Sequence, residues 1–61
     1  MNNFKEGDRV KVIDISDKSL LNMKGAVAKK GGTTPEDVEI VILDNGKWIN
    51  VGSHQIVKID E

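Results

Sequence analysis

The clearest pattern of hydrophobic and polar positions in this chain lies in residues 38–51, where two apolar, β-branched runs flank Asn45 and Gly46. An Asn-Gly pair between such runs is typical of a β-hairpin with a two-residue turn. A type I′ turn needs positive φ at both central residues, which Asn and Gly adopt at low energetic cost. The pattern therefore predicts two strands joined by a type I′ turn at Asn45 and Gly46.

The length of this turn predicts which hairpin side chains share a face, because side chains alternate across a strand with period two. With two residues in the turn, Leu43 faces Trp48 and Ile42 faces Ile49. One predicted face is wholly apolar and is expected to be the core: Val38, Ile40, Ile42, Ile49 and Val51. The other face is mixed and is expected to be exposed: Val41, Leu43, Trp48 and Asn50.

Three shorter segments also have strand-like patterns. Residues 9–12 alternate strictly, so their two valines are expected to point inward. A change of phase at residues 13–15 indicates a bulge or a sharp bend after this strand. Residues 24–29 form a second predicted strand, in which one glycine and two alanines indicate a close backbone approach or a strong bend. Residues 56–59 form the last strand.

The connecting segments are rich in turn-forming residues. Residues 16–22 form a polar loop whose two leucines are expected to fold back and plug one end of the core. A short helical turn at the start of this loop is the alternative. Residues 30–37 form a flexible loop, and its proline prevents either neighbouring strand from extending through it. Residues 52–55 are expected to form a single 3-10 turn.

These elements predict an all-β fold of five short strands, with one short 3-10 turn before the last strand. Isolated hairpins are only marginally stable, so the short strands of a 61-residue chain must pack on one another. A small, strongly bent five-stranded barrel meets this need and removes unpaired strand edges. We therefore expect a single domain over residues 1–61, with an ordered core at about residues 7–59.

The composition excludes several functional classes. The chain has no cysteine, which rules out disulfides, thiolate metal sites and a cysteine nucleophile. No apolar run approaches the roughly 20 residues of a membrane span, and the first residues lack the apolar segment of a signal peptide. These features favour a cytoplasmic protein that does not enter a membrane. The small size suggests a bacterial or phage source.

Charge is balanced overall but unevenly distributed. Nine basic and ten acidic side chains give a net charge of -1, which argues against a purely electrostatic nucleic-acid binder. Residues 1–31 hold seven basic and four acidic groups, a charge of +3, whereas residues 32–61 hold two and six, a charge of -4. Basic residues on or beside the first two strands could contact phosphates, and this basic strip comprises Arg9, Lys11, Lys24, Lys29 and Lys30.

No constellation for catalysis can be assembled from the remaining polar residues. His54 is the only histidine and lies in a predicted turn, with no carboxylate at a fixed spacing. The carboxylates of Glu36, Asp37 and Glu39 lack the regular spacing of a Ca²⁺ loop and are expected to form a solvated strand edge. The glycine-rich residues 31–34 lack the Gly-Lys-Ser/Thr ending of a phosphate loop. We therefore expect no enzymatic activity, metal, cofactor or small-molecule substrate.

Several motifs follow one another in a recognisable order. A Gly-Asp pair leads into the strand at residues 7–12, a loop ends in the segment 22–27, and Asp-Asn-Gly at residues 44–46 precedes a strand, a single turn and a last strand. This order resembles that of SH3-like small barrels of the KOW type, which occur in ribosomal proteins and in NusG-type transcription factors. The resemblance spans about residues 7–59 and implies a five-stranded barrel.

The KOW motif itself is a strand, a loop and then Gly-x-x-Gly-x-Val. Gly25 and Val27 match the second half of this motif, and Asn22 stands where the first Gly would be. Asn is the next best residue for a left-handed backbone, so it suits the turn that the motif requires. The resemblance implies a setting in transcription or translation, with nucleic acid as a possible partner.

Trp48 is the most informative single residue for function. By the predicted register it shares the mixed face with Val41 and Leu43, and Trp is strongly enriched among interface hot spots. The alternative is that it caps a secondary core against Phe4 or Leu20.

We expect a non-catalytic SH3-like binding module that acts through protein–protein contact as a small accessory or regulatory protein. Its predicted partner-binding residues are Val41, Leu43, Trp48 and Asn50. A KOW-like nucleic-acid-binding protein that uses the basic strip is the alternative.

Overall fold

The computed structural model describes residues 4–60, which form five strands and two single-turn 3-10 helices and contain no α-helix. The strands are β1 (Arg9–Val12), β2 (Lys24–Val27), β3 (Val38–Leu43), β4 (Trp48–Gly52) and β5 (Ile56–Lys58). The first 3-10 turn spans Lys18–Leu20 and the second spans Ser53–Gln55. The all-β class and the 3-10 turn before the last strand are confirmed. The first turn matches the helical alternative for the loop after β1. Residues 1–3 and 61 of the predicted domain lie outside the described part of the chain.

The strands form one antiparallel sheet in the order β4-β3-β2-β1-β5. β1 pairs with both β2 and β5, so the last strand of the chain lies beside the first. Among the described residues the ladder is open, because β4 and β5 each pair on one side and form the two edges. The structure therefore confirms a five-stranded antiparallel sheet but does not confirm its predicted closure into a barrel.

The loop between β3 and β4 is one residue longer than predicted. The Gly46 N–H donates to the Leu43 carbonyl at 2.8 Å, and the Leu43 N–H donates to the Lys47 carbonyl at 2.8 Å. Gly46 has a φ of 89°, whereas the φ of Asn45 is not positive. These features define a type I turn followed by a left-handed glycine, which makes a three-residue loop with a bulge. The predicted type I′ turn is therefore wrong.

The extra loop residue shifts β3 by one position relative to β4. Ile42, rather than Leu43, lies opposite Trp48. A shift of one residue turns every side chain of a strand to its other face. Val41 is accordingly 0% exposed and Leu43 2% exposed, whereas Ile40 and Ile42 are only half-buried. The prediction that Val41 and Leu43 lie on an exposed face, with Ile40 and Ile42 in the core, is wrong.

The predicted faces of β4 are confirmed. Val51 is buried, and the half-buried Ile49 packs against the core. Trp48 and Asn50 are exposed. Alternation within one strand depends only on neighbouring residues, so the wrong turn length left the faces of β4 unaffected. The error falls on β3 alone.

The core lies on the inner face of the curved sheet. Its buried members are Val10, Val12, Leu20, Val27, Val41, Leu43, Val51 and Ile56, and the partly buried Phe4, Ile15, Met23 and Ile49 pack against them. The two valines of β1 point inward as predicted. Leu20 lies on the first 3-10 turn and joins the core as expected, while Leu21 is half-buried.

Two backbone features predicted for β1 and β2 are present. The Ile13 and Asp14 N–H groups both donate to the Gln55 carbonyl, at 2.9 and 3.3 Å, which is the two-against-one pattern of a bulge. In β2, a Cβ placed on Gly25 would lie 2.5 Å from the Ile42 carbonyl oxygen. The glycine therefore permits a backbone approach that any side chain would obstruct.

Candidate binding surface

Cross-strand pairing places one residue from each of four strands in a row. Arg9 of β1 lies opposite Ala26 of β2, and Ala26 lies opposite Ile42 of β3. Ile42 in turn lies opposite Trp48 of β4. Residues directly opposite one another in antiparallel strands share a face of the sheet. This row therefore defines the outer face, which is the face turned away from the core.

The part of the outer face on β3 and β4 is largely apolar. Trp48 is 63% exposed and stands opposite Ile42, and the next outer pair along the strands is Ile40 opposite Asn50. We define the apolar outer patch as Val38, Ile40, Ile42 and Trp48. A contiguous apolar group on a surface carries more information than isolated apolar residues, which are common on soluble proteins.

The alternative role of Trp48 as the cap of a secondary core is wrong. Phe4 and Leu20, its predicted contacts, both belong to the main core or pack against it. Trp48 instead has the highest exposure of the large hydrophobic residues in the described part of the chain. A residue this apolar gains nothing for monomer stability from such exposure, because burial of apolar area is the favourable term.

The basic strip is only partly assembled on the outer face. Lys11 lies directly opposite Lys24, and on its other side it lies opposite Val57 of β5. Lys29 is exposed beyond the end of β2. Like charges that face each other across a strand pair are mutually destabilising. The charge of Lys24 also acts on the Asp44 carboxylate and helps to lower its pKa, so an acidic residue of the chain partly offsets this pair of like charges.

Arg9, another member of the strip, is paired with an acidic residue of the hairpin loop. Its two terminal nitrogens donate to the two carboxylate oxygens of Asp44 at 2.8 and 3.0 Å. This bidentate geometry is the strongest arrangement for a guanidinium and a carboxylate. The hydrogen bonds from Arg9 lower the pKa of the Asp44 carboxyl below its ordinary value. The pair joins β1 to the β3–β4 loop and offsets the positive charge of Arg9.

Lys30 is directed away from the strip, towards one end of the core. Its Nζ donates to the Glu36 carbonyl at 2.9 Å and lies 3.3 Å from Oε2 of Glu39. Glu39 is 2% exposed, and its Oε1 has no hydrogen-bond partner among the described residues. The prediction that Glu39 lies on a solvated edge is wrong, because the shifted register turns it inward. Glu36 and Asp37 are exposed.

The other polar candidates are not gathered into a site. His54 lies in the second 3-10 turn and is exposed. Within residues 4–60, no three His, Asp or Glu side chains are placed to hold a metal ion. The same residues contain no helix that is long and apolar enough to cross a membrane.

Gln55 has a structural role that the sequence pattern did not indicate. Its Oε1 accepts from the Gly52 N–H at 2.7 Å, and its Nε2 donates to the Asp14 carbonyl at 2.9 Å. The side chain thereby joins the end of β4 to the bend after β1. The contact with Gly52 is local, because a Gln at the third position of a helical turn can accept from the N–H of the capping residue. The contact with Asp14 spans 41 residues of sequence, and no local signal marks it.

The outward position of Ile42 was also missed, but the sequence does contain a signal for it. Asp44 precedes the Asn-Gly pair, so residues 44–46 can form a three-residue loop that begins with Asp and ends with Gly. Such a loop suits a type I turn over residues 43–46 in which the fourth residue, Gly46, is left-handed. Reading the loop in this way places Ile42 opposite Trp48, as observed.

Comparisons with known protein families, curated proteins and solved structures gave no match to this chain.

Proposed function

We propose that this protein is a non-catalytic binding module that contacts a protein partner through the apolar outer patch. The observation that carries the proposal is the 63% exposure of Trp48 directly opposite Ile42 on the outer face. Of the four predicted partner-binding residues, Trp48 and Asn50 remain in this surface. Ile42 and Ile40 take the places of Leu43 and Val41.

The energetics of protein interfaces support this assignment. Trp residues that enter a partner's pocket typically contribute about 2 kcal/mol or more to binding. The neighbouring half-buried isoleucines offer the apolar surroundings that exclude water from such a contact. β3, which holds both isoleucines, is hydrogen-bonded on one side to β2 and on the other to β4.

We also propose that the fold is an SH3-like barrel of the KOW type. The strand order, with β5 beside β1, and the 3-10 turn before β5 support this assignment. Asn22 has a φ of 68°, so it adopts the left-handed conformation that the first glycine of the KOW motif would supply.

A single-stranded nucleic acid is the second candidate partner, because the outer face combines Trp48 with the opposed Lys11 and Lys24. A base could stack on the indole while the lysines contact phosphates. The net charge of -1 and the pairing of Arg9 with Asp44 favour the protein partner over this candidate.

A capture experiment with Trp48→Ala tests the first proposal. The immobilised chain is incubated with lysate of its source organism, and retained proteins are compared among the wild type, Trp48→Ala and Ile13→Ala. Ile13 is a matched control, since it is exposed and apolar but follows β1, at a distance from β4 in the sheet. We expect a protein that the wild type and Ile13→Ala retain and Trp48→Ala loses. Retention of the same proteins by all three chains would refute the proposal.

Trp48 fluorescence tests the nucleic-acid candidate in the same chain. A single-stranded oligonucleotide should quench the indole at low salt, and the affinity should fall steeply as salt rises because counterions are released on binding. Lys11→Glu together with Lys24→Glu should remove the quenching. If no quenching occurs even at low salt, the nucleic-acid candidate is excluded.

A further inference from the structure

The free edge of β4 presents backbone groups that no described residue satisfies. The Leu43 N–H donates to the Lys47 carbonyl, so residues 47, 49 and 51 direct their backbone groups towards β3. The intervening Trp48 and Asn50 direct theirs to the opposite side, which is the edge of the sheet. The Gly52 N–H also points outward, but it already donates to Gln55 Oε1 at 2.7 Å.

Within Trp48–Gly52, this edge lacks the charged side chains and proline that protect exposed edge strands. Native edges are blocked by charged side chains, proline, bulges or shortness. β4 is five residues long, with the sequence Trp-Ile-Asn-Val-Gly, and contains no charge and no proline. The opposite edge, β5, is only three residues long and ends in Lys58. The contrast shows that β4 is the edge that is open to a further strand.

We propose that the partner at this edge is a second copy of this chain, paired through β4 about a two-fold axis. The inference rests on the proposed function, since it makes Trp48 part of a protein contact and names the partner. In an antiparallel pair, Trp48 of each copy exchanges both backbone hydrogen bonds with Asn50 of the other copy. Ile49 then faces its own counterpart on the axis. The backbone N–H and C=O groups of Trp48 and Asn50, four in each copy, all gain hydrogen-bond partners.

Backbone groups that are already bonded argue against a shift of this register in either direction. A shift that placed Trp48 opposite its own counterpart would require Gly46 to pair with Asn50 of the other copy, and the Gly46 N–H already donates to the Leu43 carbonyl. A shift that placed Asn50 opposite its own counterpart would require the Gly52 N–H to pair with Trp48 of the other copy, and Gln55 already occupies that N–H. In the proposed register, the nearest charged side chain, Lys47, stands opposite Val51 of the second copy. No like charges oppose each other, so this register has no repulsion between like charges across the strand pair.

The same register explains why an exposed Trp occupies this position. Two residues on the same face of a strand pair, offset by two, are diagonal neighbours about 7–8 Å apart, within reach of aromatic side chains. The two Trp48 side chains would be such neighbours. An offset or edge-to-face contact between them buries both indoles, and aromatic pairs of this kind are favourable beyond their buried area. In the dimer, the exposed Trp48 of each copy is therefore covered by Trp48 of the other copy.

Sedimentation equilibrium of the full chain tests the proposal, with Asn50→Pro as the decisive variant. The wild type should pass from a mass of 6.7 kDa to twice that value as its concentration rises from about 10 µM to about 1 mM, by mass action. Proline at position 50 removes an edge N–H without touching the β3–β4 ladder, so it should weaken dimerisation at least about tenfold. Asn50→Ala keeps this N–H and is the matched control, which should still dimerise.

A second variant guards against misfolding of Asn50→Pro. This variant is a chemically synthesised chain with a methyl group on the backbone nitrogen of residue Asn50. The methyl group removes the same edge N–H, and every side chain is kept. The circular dichroism spectrum of each variant should match that of the wild type. In parallel, Trp48 emission of the wild type should shift to the blue and lose iodide quenching as the dimer forms.

The outcomes separate this inference from the proposed function. A wild type that stays monomeric throughout, or edge-blocked variants that dimerise as well as the wild type, would overturn the inference. If such a monomeric protein still captures another protein through Trp48, the proposed function stands. If neither dimerisation nor capture depends on Trp48, both fail.

Discussion

Gly46 controls the conformation of the β3–β4 loop. It has a φ of 89°, and the Asn45 side chain accepts from the Lys47 N–H at 2.9 Å. Gly46→Val should therefore lower the free energy of unfolding by about 1–3 kcal/mol, because a β-branched residue is strained in the left-handed region. Urea denaturation measures this change.

Asn45→Gly distinguishes the observed loop from a type I′ turn in the same assay. In the observed loop the variant should be destabilising, since φ at position 45 is not positive and the side-chain acceptor is lost. In a type I′ turn glycine would suit this position well. A stabilised Asn45→Gly variant would contradict the observed register.

Gly25 is required because of its close contact with β3. A Cβ at this position would lie 2.5 Å from the Ile42 carbonyl oxygen and 2.9 Å from the Leu43 Cα. Both are backbone atoms that cannot move aside, so Gly25→Ala should cost about 1–3 kcal/mol, the usual range for overpacking. At Gly32 a Cβ would meet no atom within 4 Å. Gly32→Ala is therefore the control, and its thermal midpoint should stay close to that of the wild type. Equal midpoints for the two variants would contradict the close approach.

At the scale of the elements, β3 is the strand whose orientation matters most. It is apolar on both faces, with Val41 and Leu43 inside and Ile40 and Ile42 outside. Leu43→Ala should cost about 2–5 kcal/mol, because it removes a fully buried side chain and leaves a cavity. Ile40→Ala should cost clearly less, since Ile40 is half-buried. Chemical denaturation of the two variants side by side gives the order, and the reverse order would show that β3 faces the other way.

Trp48 and Ile42 show how a strand pair can form a surface as well as a core. The same ladder that buries Val41 on one face sets Ile42 opposite Trp48 on the other. The inner residues stabilise the fold, and the outer residues form the surface through which we propose that a partner binds.

At the scale of the whole molecule, Lys30 and Glu39 join the long loop before β3 to the core. Breaking such a pair leaves a buried carboxylate without compensation, whereas replacing both partners by apolar residues is often neutral. Lys30→Met should cost about 1–3 kcal/mol, less than in a fully buried pair because the Lys30 side chain is 31% exposed. Adding Glu39→Val should restore most of the lost stability. A double-mutant cycle in urea measures the coupling, and a neutral Lys30→Met would show that the pair contributes nothing.

Local pattern was sufficient for the elements that depend only on neighbouring residues. The alternation in β1 and β4 correctly predicted the inward Val10, Val12 and Val51 and the outward Trp48 and Asn50. The phase change at Ile13 correctly predicted a bulge. In these segments each face differs clearly in polarity, so the chain carries the information locally.

The orientation of β3 and the burial of Glu39 required the folded sheet. Both faces of β3 are apolar, so the period-two pattern does not indicate which face is inside. The inward face depends on whether the β3–β4 loop holds two or three residues. Two-residue and three-residue loops are both among the common hairpin connections. Packing of Val41 and Leu43 with Val10, Val12 and Ile56, which are distant in sequence, selects between them. Glu39 then points inward as a consequence, because the pleat of a strand turns alternate side chains to the same face whatever their chemistry.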